Sequence, residues 1–157
     1  MEREDPTQIP IETAGPADAA KIAEVYVAAR AEALPHLHRI RDDDADRDWI
    51  CNSVLQRGQT WVARARGDIV GFLVLVGDDD VDQLYLAPGW YRRGIGSMLL
   101  ERAKAASAGR LRLYTFQSNL GARAFYQRHG FRPIRFGDGS LNEEKEPDIL
   151  YQWSREG

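Results

Sequence analysis

The most informative segment of this chain is residues 84–97, which read Leu84-Tyr85-Leu86-Ala87-Pro88-Gly89-Trp90-Tyr91-Arg92-Arg93-Gly94-Ile95-Gly96-Ser97. Its first residues end an apolar strand, a Pro-Gly pair breaks that strand, and a basic turn leads directly into an amphipathic helix. The first N–H groups of a helix have no partner inside it, and the helix dipole favours an anion there. The turn's two glycines let a phosphate approach the backbone, and its two arginines add charged donors. The segment therefore predicts a diphosphate site, although a Gly-x-Gly pair alone is also typical of an ordinary turn before a helix.

Neither of two common nucleotide motifs fits this segment. Leu99 stands where a dinucleotide fingerprint has its third glycine, and the Gly-Lys-Ser/Thr of a P-loop is absent. A second motif, residues 119–131, reads Asn-Leu-Gly-Ala-Arg-Ala-Phe-Tyr-Gln-Arg-His-Gly-Phe. Together the two segments resemble the coenzyme A motif and the Asn-x-x-Ala-x-x-Phe-Tyr-x-x-x-Gly-Phe motif of the GNAT superfamily of acetyl-CoA-dependent N-acetyltransferases. The matching positions of the second motif are Asn119, Ala122, Phe125, Tyr126, Gly130 and Phe131.

The resemblance extends over about residues 9 to 153, and hydrophobic periodicity predicts the same order of elements, β-α-α-β-β-β-α-β-α-β-β. Strands are predicted over 9–13, 60–65, 69–76, 81–86, 110–116, 131–136 and 149–153, and helices over about 16–35, 42–56, 94–106 and 119–129. We expect one α/β domain over 1–157 with a flexible segment 1–8. It has a mixed, mostly antiparallel twisted sheet, helices on both faces and, as the resemblance implies, splayed central strands.

Composition narrows the classes of function. The chain has 157 residues and a net charge of −3, which argues against a nucleic-acid partner. A single cysteine, Cys51, excludes an internal disulfide framework and is expected to be a structural thiol. No apolar run is long enough to span a membrane, and the N-terminus does not resemble a signal peptide. We expect a soluble cytoplasmic protein with no membrane partner and no metal.

The resemblance implies transfer of an acetyl group from acetyl-CoA to a primary amine by direct attack on the thioester. An alkyl ammonium with a pKa of about 10.4 must first lose a proton, which costs roughly 4–5 kcal/mol at neutral pH. The departing thiolate is served by a phenol acid, and Tyr126 holds the family's position for it. The predicted coenzyme-binding residues are Leu84, Tyr85, Leu86, Tyr91, Arg92, Arg93, Gly94, Ile95, Gly96, Ser97, Asn119 and Tyr126. Tyr91 departs from the family pattern, which has Gln or Arg there, so coenzyme affinity is in question.

The general base and the amine pocket are less defined. Asp82, on the strand leading to Leu84, is the candidate base, and a solvated strand start is the alternative. The candidate substrate-binding residues are His36, His38, Trp61 and Asp148. Two other residues have structural alternatives, since Asn119 is a natural helix N-cap and His129 is expected to end a helix as a favourable cation.

Three questions stay open from the sequence. The acidic run 142–146 favours cationic substrates slightly, but the amine itself, in a small molecule or a peptide, is not defined. The alternatives to acetyl transfer are a different acyl-CoA, a coenzyme A-binding sensor without activity, or an unrelated nucleotide-diphosphate protein. A homodimer is common in the family, and no interface can be identified.

Overall fold

The computed structural model describes residues 9–35, 37 and 39–156, and its elements follow the predicted order. The strands are β1 (Ile11–Thr13), β2 (Gln59–Ala65), β3 (Asp68–Val76), β4 (Asp80–Leu86), β5 (Arg110–Phe116), β6 (Arg132–Gly137) and β7 (Asp148–Ser154). The helices are α1 (Ala19–Ala33), α2 (Asp43–Asn52), α3 (Ile95–Ala106) and α4 (Leu120–Arg128). The first strand begins two residues later than predicted, after Pro10, which has no N–H for the sheet. The predicted flexible segment 1–8 lies outside the described residues.

One sheet contains all seven strands, in the order β1-β2-β3-β4-β5-β7-β6. Every neighbouring pair is antiparallel except β4 and β5, which are parallel and share a single register pair, Asp80 with Arg112. Beyond that pair the two strands separate. The mixed, mostly antiparallel sheet and its splayed central strands are therefore confirmed.

The helices cover both faces of the sheet, as predicted. Ile22, Ile50 and Phe72 belong to a buried cluster that joins α1 and α2 to one face. Leu99 and Leu73 belong to a second cluster, which joins α3 and α4 to the other face. Each cluster removes large apolar side chains from water on its own side, which stabilises the central strands from both sides.

A β-bulge in β4 decides which way the middle of this strand faces. Leu75 pairs with Val81 and Val74 pairs with Gln83, so Asp82 is the extra residue. Because of the bulge, Val81 and Leu84 both pack on the α3 side. The residues that follow then alternate regularly, and Tyr85 packs towards α1.

Among the described helices, none combines the length and the apolar character that crossing a membrane requires.

Candidate active site

A cleft of about 500 Å³ opens where β4 and β5 separate. Its walls are residues 81–85 of β4, residues 113–116 of β5, the residue Asn119 that precedes α4, and two residues of α4, Ala122 and Tyr126. The segment 138–147 between β6 and β7, here called the β6–β7 loop, closes one side. The splayed strands leave backbone groups unpaired along the cleft, so a bound molecule can form hydrogen bonds with the strand edges.

The turn before α3 presents a run of free backbone donors. Among the described residues, no backbone acceptor pairs with the N–H groups from Tyr91 to Ser97, and the first helical donor that is paired is Met98 N–H to Gly94 O, at 3.0 Å. Gly94 has the left-handed conformation, with φ of 80°, and Arg92 has φ of 62°. Successive free N–H groups at a helix start form an anion site, so the geometry fits the predicted diphosphate site, here called the diphosphate cradle (residues 91–97).

The two motifs meet at Gly96, where the missing side chain also has a role in packing. A Cβ on this residue would lie 3.2 Å from Cζ of Phe125 in α4. Gly96 is buried, as is Ile95, whose side chain belongs to the core. The missing side chain of Gly96 therefore permits close packing of α3 on α4, and only the backbone of these two residues can contact a phosphate.

Tyr126 lines the cleft from the second half of α4 and is only 8% exposed. Its ring packs edge-on against Phe125 and Phe131, with centroid distances of 5.3 and 5.6 Å. Burial raises the pKa of the Tyr126 phenol well above its ordinary value of 10.0. The hydroxyl therefore stays protonated at neutral pH, in the form that can donate a proton.

Asp82, the predicted base, also lines the cleft. Its carboxylate lies 3.6 Å from Arg57 and accepts a hydrogen bond of 3.3 Å from the side chain of Gln83.

Burial, together with the neighbouring Asp82 and Asp79, raises the pKa of Asp80 to about 6. The sequence prediction did not include Asp80, because its shift depends on burial rather than on any motif.

A network of polar groups connects the cleft to α1. Arg30 donates to the hydroxyl of Tyr26 at 2.9 Å and to the carboxylate of Glu144, in the β6–β7 loop, at 2.8 Å. The Tyr26 ring packs edge-on against Tyr85, with centroids 5.1 Å apart, and burial raises the pKa of Tyr85 well above the ordinary value. Tyr85 and Glu144 both line the cleft, so this network forms its wall opposite α4. The contact between Arg30 and Glu144 was not predicted, since the two residues lie far apart in the sequence.

Comparison with known proteins identifies the family to which this chain belongs. A family model described as an acetyltransferase (GNAT) domain matches residues 56–133. The peptidyl-lysine N-acetyltransferase YiaC of Escherichia coli strain K12 is 31% identical over 103 residues, which cover 65% of this chain and 68% of YiaC. The chain belongs to the GNAT acetyltransferase family. The predicted family membership is thereby confirmed.

Two further proteins are similar to this GNAT chain. The uncharacterized N-acetyltransferase Rv2669 of Mycobacterium tuberculosis strain H37Rv is 38% identical over 78 residues, which cover 45% of this chain and 50% of Rv2669. The match thus spans about half the length of that relative. The structure of the PaiA N-acetyltransferase of Thermoplasma acidophilum in complex with coenzyme A has a TM-score of 0.70 and 19% identity, and covers 94% of this chain and 99% of that one. At this identity the likeness shows a shared fold.

The departure from the GNAT pattern at Tyr91 leaves the cradle's backbone intact. The Tyr91 side chain is 40% exposed, and partial burial beside Glu32 of α1 raises the pKa of its phenol. Arg93 stacks over the ring of Trp90 at 4.7 Å, while Arg92 is exposed. The side chain at position 91 thus lies near α1, and the run of N–H donors does not depend on it.

Two residues of the GNAT motifs have structural partners. The side-chain oxygen of Asn119 accepts the N–H of Ala122 at 3.1 Å, which confirms the N-cap prediction, although Asn119 also lines the cleft. The hydroxyl of Ser97 shares a hydrogen bond of 2.9 Å with Nε2 of His129. Burial and Lys104 lower the pKa of His129, so the prediction of a favourable cation at the end of α4 is wrong. Lys104 instead donates to the carbonyl oxygen of His129 at 2.9 Å.

The predicted coenzyme residues of β4 divide between the cleft and the core. Leu84 and Tyr85 line the cleft, whereas Leu86 packs on the core beside α3. A Cβ on Gly71 would lie 2.6 Å from a methyl group of Leu86, so a glycine on β3 makes room for this side chain. Leu86 can therefore contact a ligand through its backbone.

The predicted substrate residues are not all brought together. Asp148 lines the cleft, where its carboxylate accepts a hydrogen bond of 3.2 Å from Asn142. Trp61 is 3% exposed, belongs to the core on the α3 side and is not among the residues that line the cleft. His36 and His38 lie outside the described residues.

Neither a metal site nor a reactive thiol is evident in the described part of the chain. Over residues 9–35, 37 and 39–156, no three side chains of His, Cys, Asp or Glu are placed to hold a metal ion. Cys51 is half-buried and donates to the carbonyl oxygen of Ala19 at 3.5 Å, and burial raises the pKa of its thiol. The thiol is thus protonated at neutral pH and is not an activated nucleophile.

Proposed function

We propose that this GNAT protein transfers the acetyl group of acetyl-CoA to a primary amine. The observation that carries the proposal is the cleft between β4 and β5, which reaches the buried phenol of Tyr126. The free N–H run of residues 91–97 begins a few residues after β4 ends, so both parts belong to one strand-turn-helix unit. The relative YiaC is named for acting on peptidyl lysine, which makes a lysine side chain one reasonable acceptor.

The residues present fit coenzyme A. Its diphosphate is an anion that the N–H groups before α3 and the side chain of Arg92 can bind. The separated edges of β4 and β5 offer backbone partners to an extended amide-containing arm, and Leu84 of β4 is among the predicted coenzyme-binding residues. When bound, acetyl-CoA supplies the thioester carbonyl that the amine attacks.

Two side chains of the protein then take part in proton transfer, Asp82 as the acceptor and Tyr126 as the donor. The amine nitrogen must be neutral to form the new C–N bond, and Asp82, which lines the cleft, is the proposed base that accepts its proton, directly or through a water molecule. As the C–S bond breaks, its electron pair goes to sulfur, and the protonated hydroxyl of Tyr126 donates the proton that completes the thiol. The new C–N bond leaves one extra proton on the acetylated nitrogen, and the release of this proton through water in the cleft balances the reprotonation of the Tyr126 phenolate. Asp82 returns its own proton to solvent. No covalent intermediate with the chain is required, and the only cysteine is not activated.

The experiment compares two tyrosines of the same aromatic group. Tyr126→Phe removes the hydroxyl in the cleft, and Tyr151→Phe removes one from a ring 6.3 Å away that is fully buried and does not line the cleft. Coenzyme A binding is measured by calorimetry and thiol release is measured with a panel of primary amines. We expect all three proteins to retain coenzyme A binding, with kcat reduced about a hundredfold or more in Tyr126→Phe alone.

Two results would contradict the proposal. Binding of coenzyme A by the wild type without turnover of any amine would favour a sensor that does not catalyse. Faster thiol release from propionyl- or succinyl-CoA than from acetyl-CoA would assign the same site to a different acyl group.

A further inference from the structure

The cleft carries more acidic than basic groups. Four carboxylates line it, and Arg135 is the single cationic side chain among its described lining residues. The carboxylates belong to Asp82, Asp138, Glu144 and Asp148. Of the charged residues in the run 142–146, only Glu144 lines the cleft. Asp138 and Asp148 lie at the two ends of the β6–β7 loop, where it meets β6 and β7.

The four carboxylates differ in their partners. Glu144 is paired with Arg30 at 2.8 Å, and Asp82 lies 3.6 Å from Arg57. Asp138 and Asp148 form no ion pair with any residue that the structure describes. Arg135, the nearby cation, donates instead to the hydroxyl of Tyr114 at 2.8 Å.

Both unpaired carboxylates are held in place. Residue 148 pairs with Gly137 across β6 and β7, and a Cβ on Gly137 would overlap Oδ1 of Asp148. The other oxygen of Asp148 accepts the hydrogen bond from Asn142. Asp138 follows Gly137 directly and accepts the N–H of Ser140 at 2.9 Å, which lowers the pKa of its carboxyl group. Two fixed carboxylates thus occupy one end of the cleft.

A second feature of the cleft points independently to a ligand. Tyr126 is more than nine-tenths buried and lines the same cleft, and no hydrogen bond to its hydroxyl is found among the described residues. Apolar side chains also line the cleft, among them Leu34, Leu113 and the 94% exposed Leu141. A molecule with an alkyl segment between two nitrogen atoms could pack this segment against the apolar wall. One nitrogen would then lie beside the phenol and the other beside the carboxylates.

We propose that the acceptor is an alkyl amine with a second positive charge, which Asp138 and Asp148 bind while the reacting nitrogen lies beside Tyr126. The proposal rests on the acetyl transfer proposed above. A cation beside two carboxylates that lack a cationic partner gains charge-assisted hydrogen bonds that a monoamine of the same length cannot form. The second charge can belong to a small diamine or to a basic residue that neighbours a lysine in a peptide.

The test compares amines that differ only in the second charge. Initial rates of thiol release are measured for pentylamine against its diamine, cadaverine. The same rates are measured for blocked peptides in which one lysine is flanked by arginine or by alanine. We expect kcat/KM to favour the dication of at least one pair by about tenfold, and the preference to shrink at high salt because exposed charges are screened. The pair with the larger ratio identifies the source of the second charge.

Variants connect the preference to the two carboxylates. The double variant Asp138→Asn/Asp148→Asn should remove the preference while leaving coenzyme A binding unchanged. Glu146→Gln is the matched control, since it removes a carboxylate from the same loop at a position that does not line the cleft. This control should retain the full ratio.

The outcomes distinguish this inference from the acetyl transfer on which it rests. Equal kcat/KM for monocations and dications, or a preference that persists in the double variant, would overturn the inference that the acceptor carries a second charge. Neither result would contradict acetyl transfer. Failure of every amine with coenzyme A bound overturns both.

Discussion

Replacing Glu144 by Gln should destabilise the protein, whereas the same change at the adjacent Glu143 should have little effect. The Glu144 side chain is 15% exposed and pairs with Arg30, which is 19% exposed, at 2.8 Å. Glu143 pairs with Arg41 at the same distance, but its side chain is 63% exposed. Removing one charge from a largely buried pair leaves the other charge poorly compensated, whereas an exposed pair contributes little.

The expected loss in the free energy of unfolding follows from the burial of the Arg30–Glu144 pair. A hydrogen bond to a charged group is worth about 1.5–3 kcal/mol, and Gln keeps an oxygen that Arg30 can still contact, so we expect a loss of about 2 kcal/mol for Glu144→Gln. For a chain of this size that corresponds to a fall in Tm of about 4–8 °C. Glu143→Gln should cost below about 0.5 kcal/mol, because Arg41 keeps its hydrogen bond to Asp46 and its stacking on Trp49.

Urea unfolding followed by tryptophan fluorescence measures both values. Hydrogen exchange of the β6–β7 loop adds a local measurement, since Glu144→Gln should speed exchange in this loop more than Glu143→Gln does. Equal loss of stability in the two variants would refute the reasoning that burial of the Arg30–Glu144 pair anchors the loop.

Two further predictions concern pH and the coenzyme cradle. Because the pKa of Asp80 is raised to about 6 from an ordinary 3.8, the stability linked to its protonation is complete below about pH 4 and is lost as pH rises through about 6. Asp80→Asn should therefore raise the free energy of unfolding by roughly 2 kcal/mol at about pH 8 and hardly at about pH 4, and an equal gain at both values would contradict the assignment. Alanine at Gly94 (φ 80°) or at Gly77 (φ 62°) should cost about 1–2 kcal/mol of stability through left-handed strain. Only Gly94→Ala should also weaken coenzyme A binding in calorimetry, and equal affinities in the two variants would argue against the cradle.

Local patterns in the sequence predicted most of the fold. The order of strands and helices is confirmed, because each element's hydrophobic period and its flanking turn residues lie within one short segment. The cradle before α3 and the phenol of α4 were predicted in the same way, each from a contiguous motif. Asn119 as an N-cap needs only its neighbour Ala122, three residues away.

Side-chain direction in the central strands was less predictable. The segment from Thr60 to Ala63 is buried on both faces, so no polar alternation shows that Trp61 points into the core rather than into the cleft. The bulge at Asp82 changes the alternation within β4, and it is visible only as a shift of register against β3.

The family, the order of elements and the chemistry of the two motifs could be inferred from the amino-acid sequence, since each depends on residues that are close together in the chain. The pairing of distant charged groups could not, because it depends on how the elements pack. Glu144 pairs with Arg30, 114 residues away, and Ser97 shares a hydrogen bond with His129. Asp148 packs over Gly137 at the end of the cleft and has no cationic partner among the described residues. Such contacts arise from the packing of separate elements, and burial then sets the strength and the protonation of the groups that meet.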